Sequence, residues 1–171
     1  PMAFQNKHNT DVAAPLSPDE ILHKMEHFCA YRERCPKEVR QKLAELGASG
    51  EIAAQILQVL QTDKFFDEER FAGAYARGKF RNNDWGKVKI RLELKSRDIN
   101  WQIIEQALES IDESEYEAVL EKLTRKKLAQ LRSDPKAFEK TAATLARAGF
   151  ETELIFKKIK KIKPQLDASE S

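Results

Sequence analysis

The sequence predicts an all-α fold of three tandem three-helix repeats in an elongated, curved array, and three observations carry that prediction. Apolar residues recur at a constant offset of 51 positions: Leu43, Leu94 and Leu145; Ile52, Ile103 and Leu154; Leu57, Leu108 and Ile159; Leu60, Ile111 and Ile162. Gly47, Asp98 and Gly149 repeat with the same offset, and a fixed self-similar period is the mark of a repeat architecture. Six Gly and six Pro among 171 residues are few for a turn-rich β protein. Finally, helix start signals precede stripes of apolar residues spaced three and four apart.

The first unit is expected over residues 17–66. Ser17-Pro18-Asp19-Glu20 places Ser at the N-cap, Pro at the first helical position and Glu where it closes a capping box. Ile21, Leu22, Met25, Phe28 and Cys29 form the stripe of that helix. Pro36 starts a second helix with Val39, Leu43 and Leu46 inward, and Gly47 follows its end. Ser49 is expected to cap a third helix carrying Ile52, Ile56, Leu57 and Leu60.

The second unit, 67–112, opens at Asp67 with Glu68 and Glu69 in the dipole-favoured first turn. Phe71, Ala74 and Tyr75 are its expected stripe. Asp84 is expected to cap the next helix, running to about Arg97, and Asn100 caps the third with Ile103, Ile104, Ala107, Leu108 and Ile111 on one side. Lys87–Leu94 alternates polar and apolar strictly, which alone would indicate a strand. Helix is preferred, because the matching stretches of the other units are helically spaced and a lone strand has no partner for its backbone. Val88 and Leu92 then fall on one flank, Ile90 and Leu94 on the other, and both flanks are expected to touch neighbours.

The third unit, 113–163, opens near Ser114, with Tyr116, Leu120, Leu123 and Leu128 inward. Asp134-Pro135 reads as a second cap-and-Pro start; Phe138, Leu145 and Ala148 lead to Gly149. The last helix carries Leu154, Ile155, Ile159 and Ile162, and Pro164 is expected to follow its end. Residues 1–16 are expected to be a flexible leader and 164–171 a frayed tail.

Net charge is +2, so the chain is not globally basic, although 34% of its residues are charged. Two cysteines, Cys29 and Cys35, make no disulfide framework and suggest a reduced cytoplasmic setting. No apolar run is long enough to span a membrane. Gly-rich phosphate loops, Gly-x-Ser-x-Gly turns and Cys-x-x-Cys pairs are absent from the sequence. His23 and His27 stand four apart, a spacing that can place two nitrogens on one metal. Cys29 continues an apolar stripe and His8 lies in the leader, so solvated or packed roles are preferred. No catalytic residue, metal ligand or cofactor is assigned.

The stronger signal is clustered positive charge. Between residues 77 and 97, Arg77, Lys79, Arg81, Lys87, Lys89, Arg91, Lys95 and Arg97 face only Asp84 and Glu93. Phe80 and Trp85 lie inside that stretch. Lys122, Arg125, Lys126 and Lys127 form a second cluster, and Lys157, Lys158, Lys160, Lys161 and Lys163 a third. Charged runs are commonly solvated helix faces or dipole-complementing ends, and that reading weighs most on the third cluster. A locally unbalanced patch attracts nucleic acid through counterion release, and it equally attracts an acidic protein surface. Trp85 is a candidate base-stacking residue, although packing explains it as well.

Arg70-Phe71-Ala72, Tyr75, Gly86, Lys89-Ile90 and Glu93-Leu94 resemble the central segment of the RecX regulatory proteins. Ala30-Tyr31-Arg32-Glu33-Arg34 with Glu38-Val39 and Lys42-Leu43 is similar to that family's first module. Leu145-Ala146-Arg147-Ala148-Gly149-Phe150 is similar to its third. Two departures stand out. Asp67-Glu68-Glu69 has one residue more than the family's acidic pair, and Arg97-Asp98-Ile99 stands where the family has Lys-Gly-Ile. Asp98 must then accept a left-handed backbone, which Asp tolerates better than most residues.

The resemblance implies a non-enzymatic, cytoplasmic, monomeric regulator. Its implied partner is the RecA nucleoprotein filament, whose ATP hydrolysis and strand exchange it suppresses, with weak direct DNA contact possible. A stand-alone nucleic-acid-binding module is the alternative. The expected contact residues are Arg70, Arg77, Lys79, Arg81, Lys87, Lys89, Arg91, Lys95, Arg125, Lys126 and Lys127.

Overall fold

Nine helices and no strand make up residues 14–168, the part of the chain that the computed structural model describes. They are α1 (Pro18–Tyr31), α2 (Pro36–Glu45), α3 (Gly50–Thr62), α4 (Glu68–Asn83), α5 (Lys87–Lys95), α6 (Trp101–Glu109), α7 (Glu113–Gln130), α8 (Ala137–Ala148) and α9 (Thr152–Ala168). Helix packing is confined mainly to consecutive triplets: α1 with α2 and α3, α4 with α5 and α6, α7 with α8 and α9. Most of the expected leader lies outside the described residues.

Several helix starts follow directly from side-chain chemistry. Ser17 accepts the Glu20 N–H at 3.3 Å while Glu20 accepts the Ser17 N–H at 2.8 Å, the reciprocal capping box. Asp67 accepts the Arg70 N–H at 2.9 Å, and Asn100 accepts the Gln102 N–H at 2.9 Å. Ser49 stands at the N-cap of α3 without a side-chain bond.

Other boundaries differ from expectation. Asp84 ends α4 in a left-handed conformation (φ 53°) and starts nothing; Gly86 is the N-cap of α5. The third triplet opens near Ser114 as expected, α7 starting at Glu113 with Asp112 at its N-cap accepting the Glu115 N–H at 2.8 Å. Asp134-Pro135 forms a turn, and α8 starts at Ala137. Pro164 lies inside α9, which continues to Ala168 instead of fraying. In α4, Ala74 is exposed, and the buried face is Phe71, Ala72, Gly73, Ala76 and Phe80.

The middle helix of each triplet ends in the same way. Gly47 donates to the Ala44 carbonyl and Ala48 to the Leu43 carbonyl, at 3.0 and 2.9 Å. Fifty-one residues later Asp98 donates to Lys95 and Ile99 to Leu94; after another 51, Gly149 donates to Ala146 and Phe150 to Leu145. These are three copies of one Schellman cap. Gly47, Asp98 and Gly149 all have positive φ, at 87°, 61° and 94°. The Asp98 departure therefore adopts the backbone that its glycine counterparts do.

Two apolar cores result. Ile21, Met25, Cys29, Val39, Leu43, Ile56 and Leu60 fill the first triplet. The second and third triplets share one continuous core, which Cys35 from the first also enters. Phe80, Tyr116 and Phe150 form an aromatic chain across that shared core, with centroids 5.6 and 5.2 Å apart.

Adjacent triplets meet by one recurring junction. The N-terminus of α2 meets the loop after α5: the Lys37 N–H donates to the Arg97 carbonyl at 3.4 Å, and Arg40 pairs with Asp98 at 2.7 Å. The N-terminus of α5 meets the loop after α8: Gly86 donates to the Ala148 carbonyl at 2.8 Å and Val88 to the Gly149 carbonyl at 2.9 Å. Orphan N–H groups at a helix start are thereby satisfied by the next triplet. At the second junction a Cβ on Gly86 would lie 2.2 Å from the Gly149 carbonyl carbon, so only glycine fits.

Candidate polyanion and partner contact surface

The eight cations of residues 77–97 do not form one free patch. Acids of neighbouring helices, far away in sequence, neutralise several. Arg81 of α4 pairs with Glu115 of α7 at 3.3 Å, and Lys87 of α5 with Glu113 at 2.9 Å. Arg91 holds Glu105 of α6 through two bonds of 2.6 and 2.9 Å. That forked guanidinium contact keeps the Glu105 carboxyl below its ordinary 4.5. Arg97 pairs with Glu93 at 2.7 Å and lies over the Tyr75 ring, 4.7 Å from its centroid.

Arg70 is likewise a bridge: it reaches Glu33 of the first triplet at 2.5 Å and donates to the Lys64 carbonyl. Arg125 holds Glu121 at 2.9 Å and donates to Gln165. In the third cluster, Lys158 is buried against Glu117 and Glu121.

Among the described residues, Arg77, Lys79, Lys89, Lys95, Lys126 and Lys127 have no acidic partner. Lys79 and Lys89 both lie over Trp85, at 4.9 and 4.1 Å from the ring centroid. Trp85 is half-buried and makes cation–π contacts with both ammonium groups. Phe80, within the same stretch, is buried in the core. Lys126 and Lys127 border an open groove of about 400 Å³ with Leu123, Leu145 and Ala148 on its walls and Asn83 and Asp84 at one end. That groove is lined chiefly by α7 and α8 of the third triplet, with the end of α4 contributing Asn83 and Asp84.

The ring nitrogens of His23 and His27 are 3.2 Å apart on the exposed face of α1, with ring centroids at 4.6 Å. Among the described residues no group of three or more His, Cys, Asp or Glu is placed to hold a metal. His8 lies outside the described residues. Cys29 and Cys35 are buried free thiols in different cores, and burial pushes both above the ordinary thiol value. Among the described residues no helix is long and apolar enough to cross a membrane.

Comparison with known proteins places this geometry. Residues 22–60 match the model of the RecX first three-helix domain, and residues 67–108 that of the RecX second three-helix domain. A protein named regulatory protein RecX from Oceanobacillus iheyensis is 30% identical over 146 residues, covering 82% of this chain and 54% of that protein. Its namesake from Geobacillus kaustophilus is 31% identical over 131 residues, covering 75% of this chain and 49% of that protein. The chain thus spans about half the length of these two relatives. The crystal structure of RecX from Lactobacillus salivarius superposes with a TM-score of 0.79 at 22% identity, covering 85% of this chain and 96% of that one. With two family domains in tandem on the first two helix triplets, and a shared fold over most of its length, the chain belongs to the RecX family.

Proposed function

We propose that this chain is a cytoplasmic, monomeric regulator that binds the RecA–DNA filament and inhibits its ATP hydrolysis and strand exchange. Membership of a family of regulatory proteins is the observation that carries this reading. The array supports it physically. Three units, taken as residues 17–66, 67–112 and 113–163, repeat one cap and one junction along the chain, an arrangement suited to a polymeric partner. Modest contacts from successive units add through avidity. A bound array that favours one protomer arrangement shifts the filament away from the geometry used in hydrolysis.

Contact falls first on the cations without acidic partners among the described residues: Arg77, Lys79, Lys89, Lys95, Lys126 and Lys127. Arg70, Arg81, Lys87, Arg91 and Arg125 act chiefly as struts between helices.

The test is RecA ATPase on single-stranded DNA with increasing amounts of this protein. The expected outcome is inhibition at substoichiometric ratios; undiminished ATPase under saturating binding would remove the inhibitory role. One observation favours a second reading, a stand-alone nucleic-acid-binding module: half-buried Trp85 with the ammonium groups of Lys79 and Lys89 beside its ring. A salt titration without RecA separates the two. Micromolar binding to single strands, with log K falling by roughly 0.7 per neutralised phosphate for each decade of salt, supports the second reading.

A further inference from the structure

Helix α5 carries an apolar flank that its own fold leaves unused. Ile90 and Leu94 are fully buried, whereas Val88 is 37% and Leu92 63% exposed. The strict alternation of Lys87–Leu94 therefore resolves into one buried flank and one outward flank. Val88 and Leu92 stand four apart and share a face. Lys89 and Lys95 each stand three residues from Leu92, on opposite sides of it along the helix. Neither lysine has an acidic partner among the described residues.

The sister triplets show what the architecture needs at these positions. Fifty-one residues earlier stand Lys37 and Gln41, and 51 residues later Glu139 and Ala143, all exposed. The same comparison sets Trp101, 69% exposed at the start of α6, against exposed Gly50 and Thr152. At these three positions polar or small residues satisfy the fold in two copies, and the second copy carries exposed Val, Leu and Trp instead.

Nucleic acid is a poor match for this face, because aliphatic side chains neither stack on bases nor bond to phosphate. A protein surface is a good match: an aliphatic centre that loses water on contact, flanked by cations that select a complementary rim. We infer that the Val88–Leu92 face of α5 is a protein-docking surface, and that its partner presents an apolar spot ringed by carboxylates. The inference rests on the filament reading above and assigns this face of the second triplet to a RecA protomer.

Co-sedimentation with RecA filaments assembled on single-stranded DNA tests it, comparing wild type, Leu92→Asp and Leu92→Gln. Gln is the residue that the first triplet carries at the equivalent position. Leu92→Asp should weaken filament binding by at least about tenfold, as removal of a central contact does. Leu92→Gln should fall between, with helical circular dichroism and binding to DNA alone unchanged in both variants. Wild-type sedimentation of Leu92→Asp overturns the inference and leaves the RecA reading standing. Equal loss of binding to free DNA reassigns the face to nucleic acid and overturns it. Conversion of a wild-type dimer to a monomer with filament binding intact makes the face a self-interface, which overturns it too. A wild-type protein that does not sediment with filaments overturns the RecA reading itself and removes the partner named here.

Discussion

Gly47 and Gly149 perform the same local task in different surroundings. Each closes a Schellman cap with φ near 90°, where an L side chain is strained. A Cβ added at Gly47 meets nothing within 4 Å, whereas one at Gly149 would lie 2.2 Å from the Lys89 Cβ. Gly47→Ala should therefore cost about 1–2 kcal/mol, the left-handed penalty alone. Gly149→Ala adds a collision across the junction and should cost about 2–4 kcal/mol. Urea unfolding of the two variants checks the difference; equal losses would mean that the junction yields without resistance. The 51-residue period made both glycines legible as caps. Their unequal crowding was not legible, because it depends on a helix of another triplet.

At the scale of the helix, α5 shows where sequence reasoning stops. Its helical nature was readable from the period, and buried Leu94 from the Leu43/Leu94/Leu145 set; both flanks were expected to touch neighbours, yet only the Ile90–Leu94 flank is buried, while Val88 and Leu92 face outward. Its charge state was not readable. The counted surplus over residues 77–97 is reduced by Glu105, Glu113 and Glu115, which arrive from α6 and α7. Pairing across helices is a tertiary fact, and counting along the chain overstates the free cations.

The α5–α6 brace of Arg91 and Glu105 has a pH signature. The folded state holds Glu105 below 4.5, so its stabilisation is present above that value and is lost as pH falls through the lowered folded value. Glu105→Gln should destabilise the protein slightly at neutral pH and flatten its acid unfolding below about pH 4.5, followed by thermal midpoint against pH. An acid limb as steep as wild type would show that the brace contributes nothing to it.

For the whole molecule, the tandem triplets and most core positions followed from one period and a handful of caps. The Asp84 and Asp134 boundaries did not, because a short polar residue suits a helix start, a helix end or a turn equally well until its neighbours are placed. Pro164 misled for a related reason: proline usually breaks a helix interior, yet α9 carries it near its end. The groove beside Lys126 and Lys127 arises only when α4, α7 and α8 come together, so no linear pattern announces it.

The unequal division of the apolar interior has a dynamic consequence. Aromatic packing fuses the last two triplets, while the first is fastened to them by Cys35 and a few bonds such as Arg40–Asp98 and Arg70–Glu33. Ion pairs exposed to water resist opening weakly. Native-state hydrogen exchange should show α1–α3 amides opening at lower free energy than those of α4–α9, as two separable cooperative blocks. A single uniform block would show the opposite. Such a protein can release one end of its hold on a long partner while the other end stays attached.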